Sequence, residues 1–250
     1  MRLCADIRRR LKNITVSISF TCDAGQILAV VGPSGAGKTT ILRTIAGLVQ
    51  PDAGHIVCND TAWFDSSRKI SLPPQQRKVG YVSQGYGLFP HLTVRKNIGF
   101  AAKKTDKVAQ LMDLFSIANL ADCRPAEISG GERQRAALAQ ALAAEPRLML
   151  LDEPFSALDY KTRQKLREEL LRMKEQFAMP IILVTHDLED ATCLADTVLP
   201  VVDGTLAPQW LPDTMPWQLA KRSDAKRRVS HTTGDTIVTG HELSPARCTI

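Results

Sequence analysis

The chain has 250 residues, 44% of them hydrophobic and 23% charged, which is ordinary globular usage and argues against wholesale disorder and against a fibre. Its longest apolar runs, such as Ile27 to Val31 and Leu148 to Leu151, fall far short of the roughly 20 residues of a membrane helix, and Arg2, Asp6, Arg8, Arg9, Arg10 and Lys12 interrupt any secretion signal, so a cytosolic location is expected. The formal charge of +6 sits at two ends: residues 1–13 and 221–228 each hold five Arg or Lys against one Asp, leaving −2 elsewhere; a nucleic-acid groove needs its charge on a folded face, so no nucleic-acid partner is expected.

In chain order, Ile14, Val16, Ile18 and Phe20 alternate with polar residues, which predicts a strand buried on one side. Ile27 to Val31 is wholly apolar and predicts a strand buried on both. A glycine-rich turn at 32–37 leads into a helix over 38–48, and shorter strands follow at 55–59 and 78–83. From about 85 to 146 the pattern turns helical, with Ala-rich and Leu-rich stretches at 105–116 and 131–144, and this reads as an inserted helical subdomain. Strands at 147–151, 181–185 and 197–202 then alternate with helices at 160–177 and 188–195, the rhythm of a parallel sheet covered by helices. Beyond 208 the periodicity fades, and residues 209–250 are expected to form an irregular basic tail. The six cysteines, at 4, 22, 58, 123, 193 and 248, are never closer than 18 residues, so they are expected to be packing thiols and neither metal ligands nor a redox pair.

Gly32-Pro33-Ser34-Gly35-Ala36-Gly37-Lys38-Thr39 matches the pattern G-x-x-x-x-G-K-[ST] and lies between a buried strand and a helix, where the mechanism requires it. The glycines let successive N–H groups surround a phosphate; Lys38 adds positive charge, and the Thr39 hydroxyl is placed to ligate Mg²⁺. Such a match arises by chance in roughly 1% of chains of this length. Leu148 to Asp152 is a strand ending in the carboxylates of Asp152 and Glu153. Asp152 can hold Mg²⁺, and Glu153 can orient or deprotonate an attacking water. Ile128-Ser129-Gly130-Gly131-Glu132 stands before the Ala-rich helix, 20 residues upstream of Asp152, and reads either as a second anion site or as a plain helix cap.

With these residues in this order, the chain resembles the nucleotide-binding subunits of ATP-binding cassette transporters. The matches run from about residue 14 to 206: the phosphate loop, Gln84 after a strand, the signature at 128–132, the carboxylate strand, Ser156 to Asp159, and His186 after strand 181–185. The resemblance implies an α/β P-loop NTPase with a parallel-sheet core, an N-terminal antiparallel β subdomain and the inserted helical subdomain, all within an ATPase domain at 1–208. It implies that the phosphate loop through Thr40 binds ATP. Thr39, Gln84 and Asp152 would serve Mg²⁺, and Glu153, His186 and Gln84 would surround the reaction. Ser129, Gly130, Gly131 and Asp159 would meet the nucleotide held by a second copy of the chain. Ile128, Glu132 and Ser83 depart from the usual residues, and no aromatic residue precedes Phe20, where the family commonly stacks adenine; Arg8, Arg9, Arg10 and Leu11 stand there instead.

Residues 85–100 resemble the segment that importer cassettes present to membrane permease subunits, with Phe89 and Leu92 expected as apolar anchors. The stretch Trp63 to Val82 is closest to molybdate and related oxyanion importers, which also receive solute from a binding protein. The implied location is peripheral, on the inner face of the cell membrane. Importers of thiamine or iron and a soluble regulatory ATPase remain open. A single-site P-loop kinase is disfavoured, because it has no use for the signature or Asp159.

Overall fold

In the computed structural model, which describes residues 1–102, 104–156 and 158–212, the chain opens with a strand hidden in charged sequence. β1 (Arg2–Arg10) buries Leu3, Ala5 and Ile7 and pairs antiparallel with β2 (Thr15–Asp23), from Arg2 opposite Asp23 to Arg10 opposite Thr15. The N-terminal basic cluster therefore lies on the folded sheet, which corrects the reading that this end of the chain is not part of a folded face. It is also partly neutralised there, Arg2 by Asp23 at 3.1 Å and Arg9 by Asp52 at 2.5 Å.

β3 (Ile27–Val31) runs into α1 (Lys38–Ala46). β4 (Ala53–Cys58), β5 (Thr61–Asp65) and β6 (Ile70–Ser71) extend the antiparallel part, and β7 (Val79–Val82) returns to the parallel part. The helical stretch holds α2 (Val94–Gly99), α3 (Thr105–Leu114) and α4 (Gly130–Ala143). β8 (Leu148–Asp152), α5 (Tyr160–Phe177), β9 (Ile181–Thr185), α6 (Leu188–Leu194), β10 (Thr197–Val202) and β11 (Thr205–Leu206) follow. The strands form one mixed sheet in the order β6-β5-β4-β1-β2-β11-β10-β3-β9-β8-β7, and β10, β3, β9, β8 and β7 are parallel neighbours. This is the expected α/β architecture. Strands β1, β5, β6 and β11 and helix α2 are additions to the sequence reading.

The period of two divides the parallel strands between two cores. Ile27, Ala29, Val31, Met149, Leu151, Ile181 and Leu183 join the core that includes α4, α5 and α6 side chains. Leu28, Val30, Leu148, Leu150, Ile182 and Val184 join the core of α1 and the antiparallel strands. That is why these strands read as unbroken apolar runs.

One charged residue is built into the second core. Arg77 is 2% exposed, and its guanidinium donates to the carbonyls of Thr44 and Ile45 at the end of α1 and to those of Leu72 and Trp63. Burial pulls its pKa down to about 10. The fork thus caps the carbonyl end of the helix that begins at the phosphate loop. Gly47 makes room for it: a Cβ there would lie 2.7 Å from the Arg77 Nε.

The described cysteines, Cys4, Cys22, Cys58, Cys123 and Cys193, form no disulfide. Burial pushes Cys22 up to about 12 and Cys58 up to about 11, away from thiolate chemistry. Among the described residues no helix is long and apolar enough to cross a membrane. Pro208–Trp210 forms a short 3₁₀ turn, with Trp210 and Leu211 packed on the core, so the first residues of the expected irregular tail are ordered. The remainder of that tail, 213–250, lies outside the described residues.

Candidate functional site

Parallel strands in register end together, and here four of them deliver chemistry to one edge. Val31 pairs with Thr185, Asp152 with Val184, and Val82 with Leu151. Gly32, His186, Glu153 and Gln84 therefore follow strand ends on the same side of the sheet, the position where open α/β sheets bind ligands. An open crevice there is lined by Ser34, Gly35, Gly37, Lys38, Thr39 and Thr40, together with Leu11, Gln84 and Glu153.

The phosphate loop is shaped by close approaches. A Cβ on Gly32 would lie 2.0 Å from the Val201 carbonyl oxygen, and one on Gly37, at φ 93°, would lie 2.7 Å from Val16 Cγ2. Pro33, Ser34 and Gly35 are exposed, whereas Ala36 is buried beneath them. Gly37 caps α1 without any side-chain hydrogen bond, and the first turn holds no acidic residue. That end of the helix is suited to an anion. The Lys38 ammonium donates to the carbonyls of Gly32 at 2.7 Å and Pro33 at 2.8 Å, leaving a third proton for a ligand. Burial pulls its pKa down, opposed by Glu153 and Asp152.

The Thr39 hydroxyl donates to Asp152 Oδ1 at 3.0 Å, and the Tyr81 hydroxyl donates to Asp152 Oδ2 at 3.1 Å. A hydroxyl beside a single carboxylate is a hard oxygen set that fits Mg²⁺, which commonly takes one or two carboxylates and completes its shell with water and substrate phosphate. Glu153 stands in the left-handed region at φ 51°, a conformation that costs a non-glycine residue about 1 kcal/mol and is commonly stored at functional sites. Its backbone N–H donates to Val184 O, and its Oε2 lies 3.2 Å from His186 Nδ1. Strand end, strain and histidine together aim this carboxylate over the crevice.

The signature residues are placed differently. Ser129 is exposed and caps α4 in a reciprocal box: its N–H and hydroxyl both donate to Glu132 Oε2, at 2.8 and 2.7 Å, and the Glu132 N–H donates to Ser129 Oγ at 3.3 Å. These bonds hold the Glu132 carboxyl below the usual range. Gly130 is half-buried. Gly131 is buried, and a Cβ there would lie 2.2 Å from Thr162 Cγ2, so its lack of a side chain is required by packing on α5. Asp159 is exposed and caps α5 by accepting from the Thr162 N–H at 3.1 Å. None of these four residues lines the phosphate-loop crevice of the same chain.

Several contributors escaped the sequence reading. Arg133 donates to the carbonyls of Pro125 and Ile128 and lies over the Tyr86 ring at 5.6 Å, tying the segment after Gln84 to the start of α4. Phe89 and Leu92 are half-buried. The more open ring is Phe100, 70% exposed and 4.8 Å from Phe89 between centroids. Buried Asn97 fixes this turn, accepting from the Phe89 N–H and donating to the carbonyls of Phe89, Leu92 and Thr93. Of Arg8, Arg9, Arg10 and Leu11, Arg9 is occupied by Asp52, and the apolar Leu11 is the one that reaches the crevice wall.

Comparison with known proteins agrees with this geometry. The ABC transporter family model matches residues 16–156. A molybdenum import ATP-binding protein of Rhodospirillum rubrum is 40% identical over 208 residues, covering 81% of this chain and 56% of its own length. A sulfate/thiosulfate import ATP-binding protein of Salmonella typhi is 46% identical over 209 residues, covering 78% and 56%. This chain thus spans about half the length of those two relatives. A molybdate/tungstate import ATP-binding protein of Archaeoglobus fulgidus is 42% identical over 205 residues and is covered over 82% of its length. Among solved structures, a dimeric ATP-binding cassette in a post-hydrolysis state, bound to ADP and Pi, matches with a TM-score of 0.68 at 24% identity, over 82% of this chain and 96% of that one. The family match, the relatives and a crevice lined by a phosphate loop and the strand-end carboxylate of Glu153 lead to one conclusion: the chain belongs to the ABC transporter family.

Proposed function

We propose that this chain is a Mg²⁺-dependent ATPase that works as a pair and powers the import of an oxyanion through separate membrane permease subunits. The observation that carries the reading is the convergence of Lys38, Thr39, Asp152, Glu153 and His186 at one sheet edge. In this reading the phosphate loop, through Thr40, grips the triphosphate and Lys38 neutralises its terminal oxygens. Thr39 and Asp152, with Gln84 lining the same crevice, would hold Mg²⁺, which would supply neutralisation of the phosphate charge. Glu153 orients a water for in-line attack on the γ-phosphorus and takes its proton, while His186 steadies that carboxylate. Ser129, Gly130, Gly131 and Asp159 serve the nucleotide of a second copy of the chain, a role supported by their lying outside the crevice lining of their own chain and by the dimeric state of the structural relative. The exposed Phe100 beside Phe89 supports residues 85–100 as the face that meets the permease on the inner side of the membrane. A binding protein would deliver solute to that permease.

For the solute, molybdate is the finer reading, supported by the relatives from Rhodospirillum rubrum and Archaeoglobus fulgidus. Sulfate stands beside it, because the sulfate/thiosulfate relative is comparably similar. Uptake of labelled molybdate and sulfate by cells with and without the intact gene separates the two. The chemistry is tested in purified Glu153→Gln protein: ATP binding is retained while hydrolysis falls roughly 10² to 10⁴-fold. Wild-type turnover in that variant overturns the assignment.

A further inference from the structure

We propose that Tyr81 is a positioning residue that sets the orientation of the Asp152 carboxylate and, through it, the affinity of the nucleotide site for Mg²⁺. The inference rests on the reading of Asp152 and Thr39 as the metal-holding pair. Asp152 is 4% exposed, so each of its oxygens needs a partner within the protein. Oδ1 has the Thr39 hydroxyl at 3.0 Å, and Oδ2 has the Tyr81 hydroxyl at 3.1 Å. The terminal torsion of an aspartate is soft and roughly two-fold, and two donors on opposite oxygens hold it in one plane. With only one donor left, the carboxylate can swing and take Oδ1 out of line with Thr39.

The direction of the Tyr81 hydrogen bond is also determined. Tyr81 is on β7, where it pairs in register with Leu150 of β8, two residues before Asp152. An ionised carboxylate can only accept, so the phenol gives its proton to Asp152 Oδ2. Tyr81 thus acts from β7 on the carboxylate at the end of the neighbouring strand β8. Tyr81 does not line the phosphate-loop crevice, so its influence has to pass through the carboxylate. Partners of this kind, one shell behind a ligand, commonly change metal affinity by 10 to 100-fold when removed.

The test uses the full chain carrying Glu153→Gln, so that ATP is bound without turnover, and compares it with the same chain carrying Tyr81→Phe as well. ATP affinity is measured with excess EDTA and again over a Mg²⁺ titration. The expected result is equal affinity in EDTA and about a tenfold smaller enhancement by Mg²⁺ in the Tyr81→Phe protein. In an Asp152→Asn background the Tyr81→Phe change should have no further effect, and Tyr81→Met, which also lacks the hydroxyl, should lower the Mg²⁺ enhancement in the same direction. An unchanged Mg²⁺ enhancement overturns the proposal. An equal loss of affinity with and without metal also overturns it, because that is the signature of general loosening. If Tyr81→Phe does not fold, the Tyr81→Met comparison decides the question alone. Absence of any Mg²⁺ enhancement in the parent with Tyr81 intact overturns the metal reading itself, and it is distinguished by failing before Tyr81 is touched.

Discussion

Two helix beginnings in this molecule look alike in sequence and differ in structure. α1 starts at Gly37 with no side-chain cap and no acid in its first turn; α4 starts at Ser129 with a complete capping box closed by Glu132. The first keeps its N–H groups and positive end available to a triphosphate beside Lys38. The second is already satisfied from within its own chain, its serine hydroxyl donating to a carboxylate. An uncapped start is a site by itself. A capped start needs something from outside to rearrange it, and in the proposed dimer that is the nucleotide of the other copy.

The sharpest way to break this contrast is complementation. Lys38→Ala removes charge-assisted hydrogen bonds worth about 1.5 to 3 kcal/mol and should nearly abolish turnover alone. Ser129→Arg should do the same by filling the signature surface. Mixed together, the two variants should recover activity, because a heterodimer places both lesions in one composite site and leaves the other intact. ATP hydrolysis measured across mixing ratios checks this, and a mixture no better than its components would mean that the two helix starts act within one chain. A smaller effect is expected at the exposed end of the helical stretch. Phe100→Asp with Phe89→Asp should uncouple solute uptake in reconstituted vesicles while basal ATPase stays near the parent value. Phe100→Ser alone, at an exposed position, should change stability by less than about 0.5 kcal/mol in a denaturant titration. Collapse of the fold in the double variant would assign Phe89 a packing role.

The smallest effect concerns the base. With Leu11 at the crevice wall and Arg9 held by Asp52, the reading elements address the triphosphate, and ATP and GTP should be hydrolysed within about tenfold of each other, a difference of about 1.4 kcal/mol. Leu11→Tyr should tighten purine nucleotides by up to about 1 to 3 kcal/mol if the ring can stack. A comparison of kcat/KM for the two nucleotides checks both statements, and a hundredfold preference for ATP in the parent chain would reveal a base-reading element supplied from elsewhere.

What the sequence made legible follows from how each part is stabilised. The parallel strands are buried on both faces, so they appear as apolar runs, and the residues at their ends are fixed by backbone register; Gly32, Asp152 and Glu153 could be singled out that way, while Gln84 and His186 look like ordinary strand-end residues and are singled out only by the resemblance. β1 was concealed because its buried face is only Leu3, Ala5 and Ile7, interleaved with charges that read as an unstructured end. β5 places Trp63 and Phe64 side by side in the core, next to a shift of register in β4 between Ile56 and Val57, and a bulge breaks the alternation that identifies a strand. Tyr81, Arg133 and Arg77 were out of reach for another reason. Their roles depend on partners distant in sequence, and nothing in a lone tyrosine or arginine announces which carbonyl or carboxylate it will meet.

Arg77 has a further consequence for exchange between relatives. Its guanidinium reads four carbonyls, two from the end of α1 and two from the antiparallel strands and the loop after them, through a space kept by Gly47. The outer sheet and the nucleotide helix are therefore not interchangeable modules, although they lie in different stretches of the chain. A chimaera that imports residues 53–77 from another cassette will dock only if the donor brings an arginine at this place and the recipient keeps a glycine after its helix. The seam along which these proteins can be recombined runs around that contact.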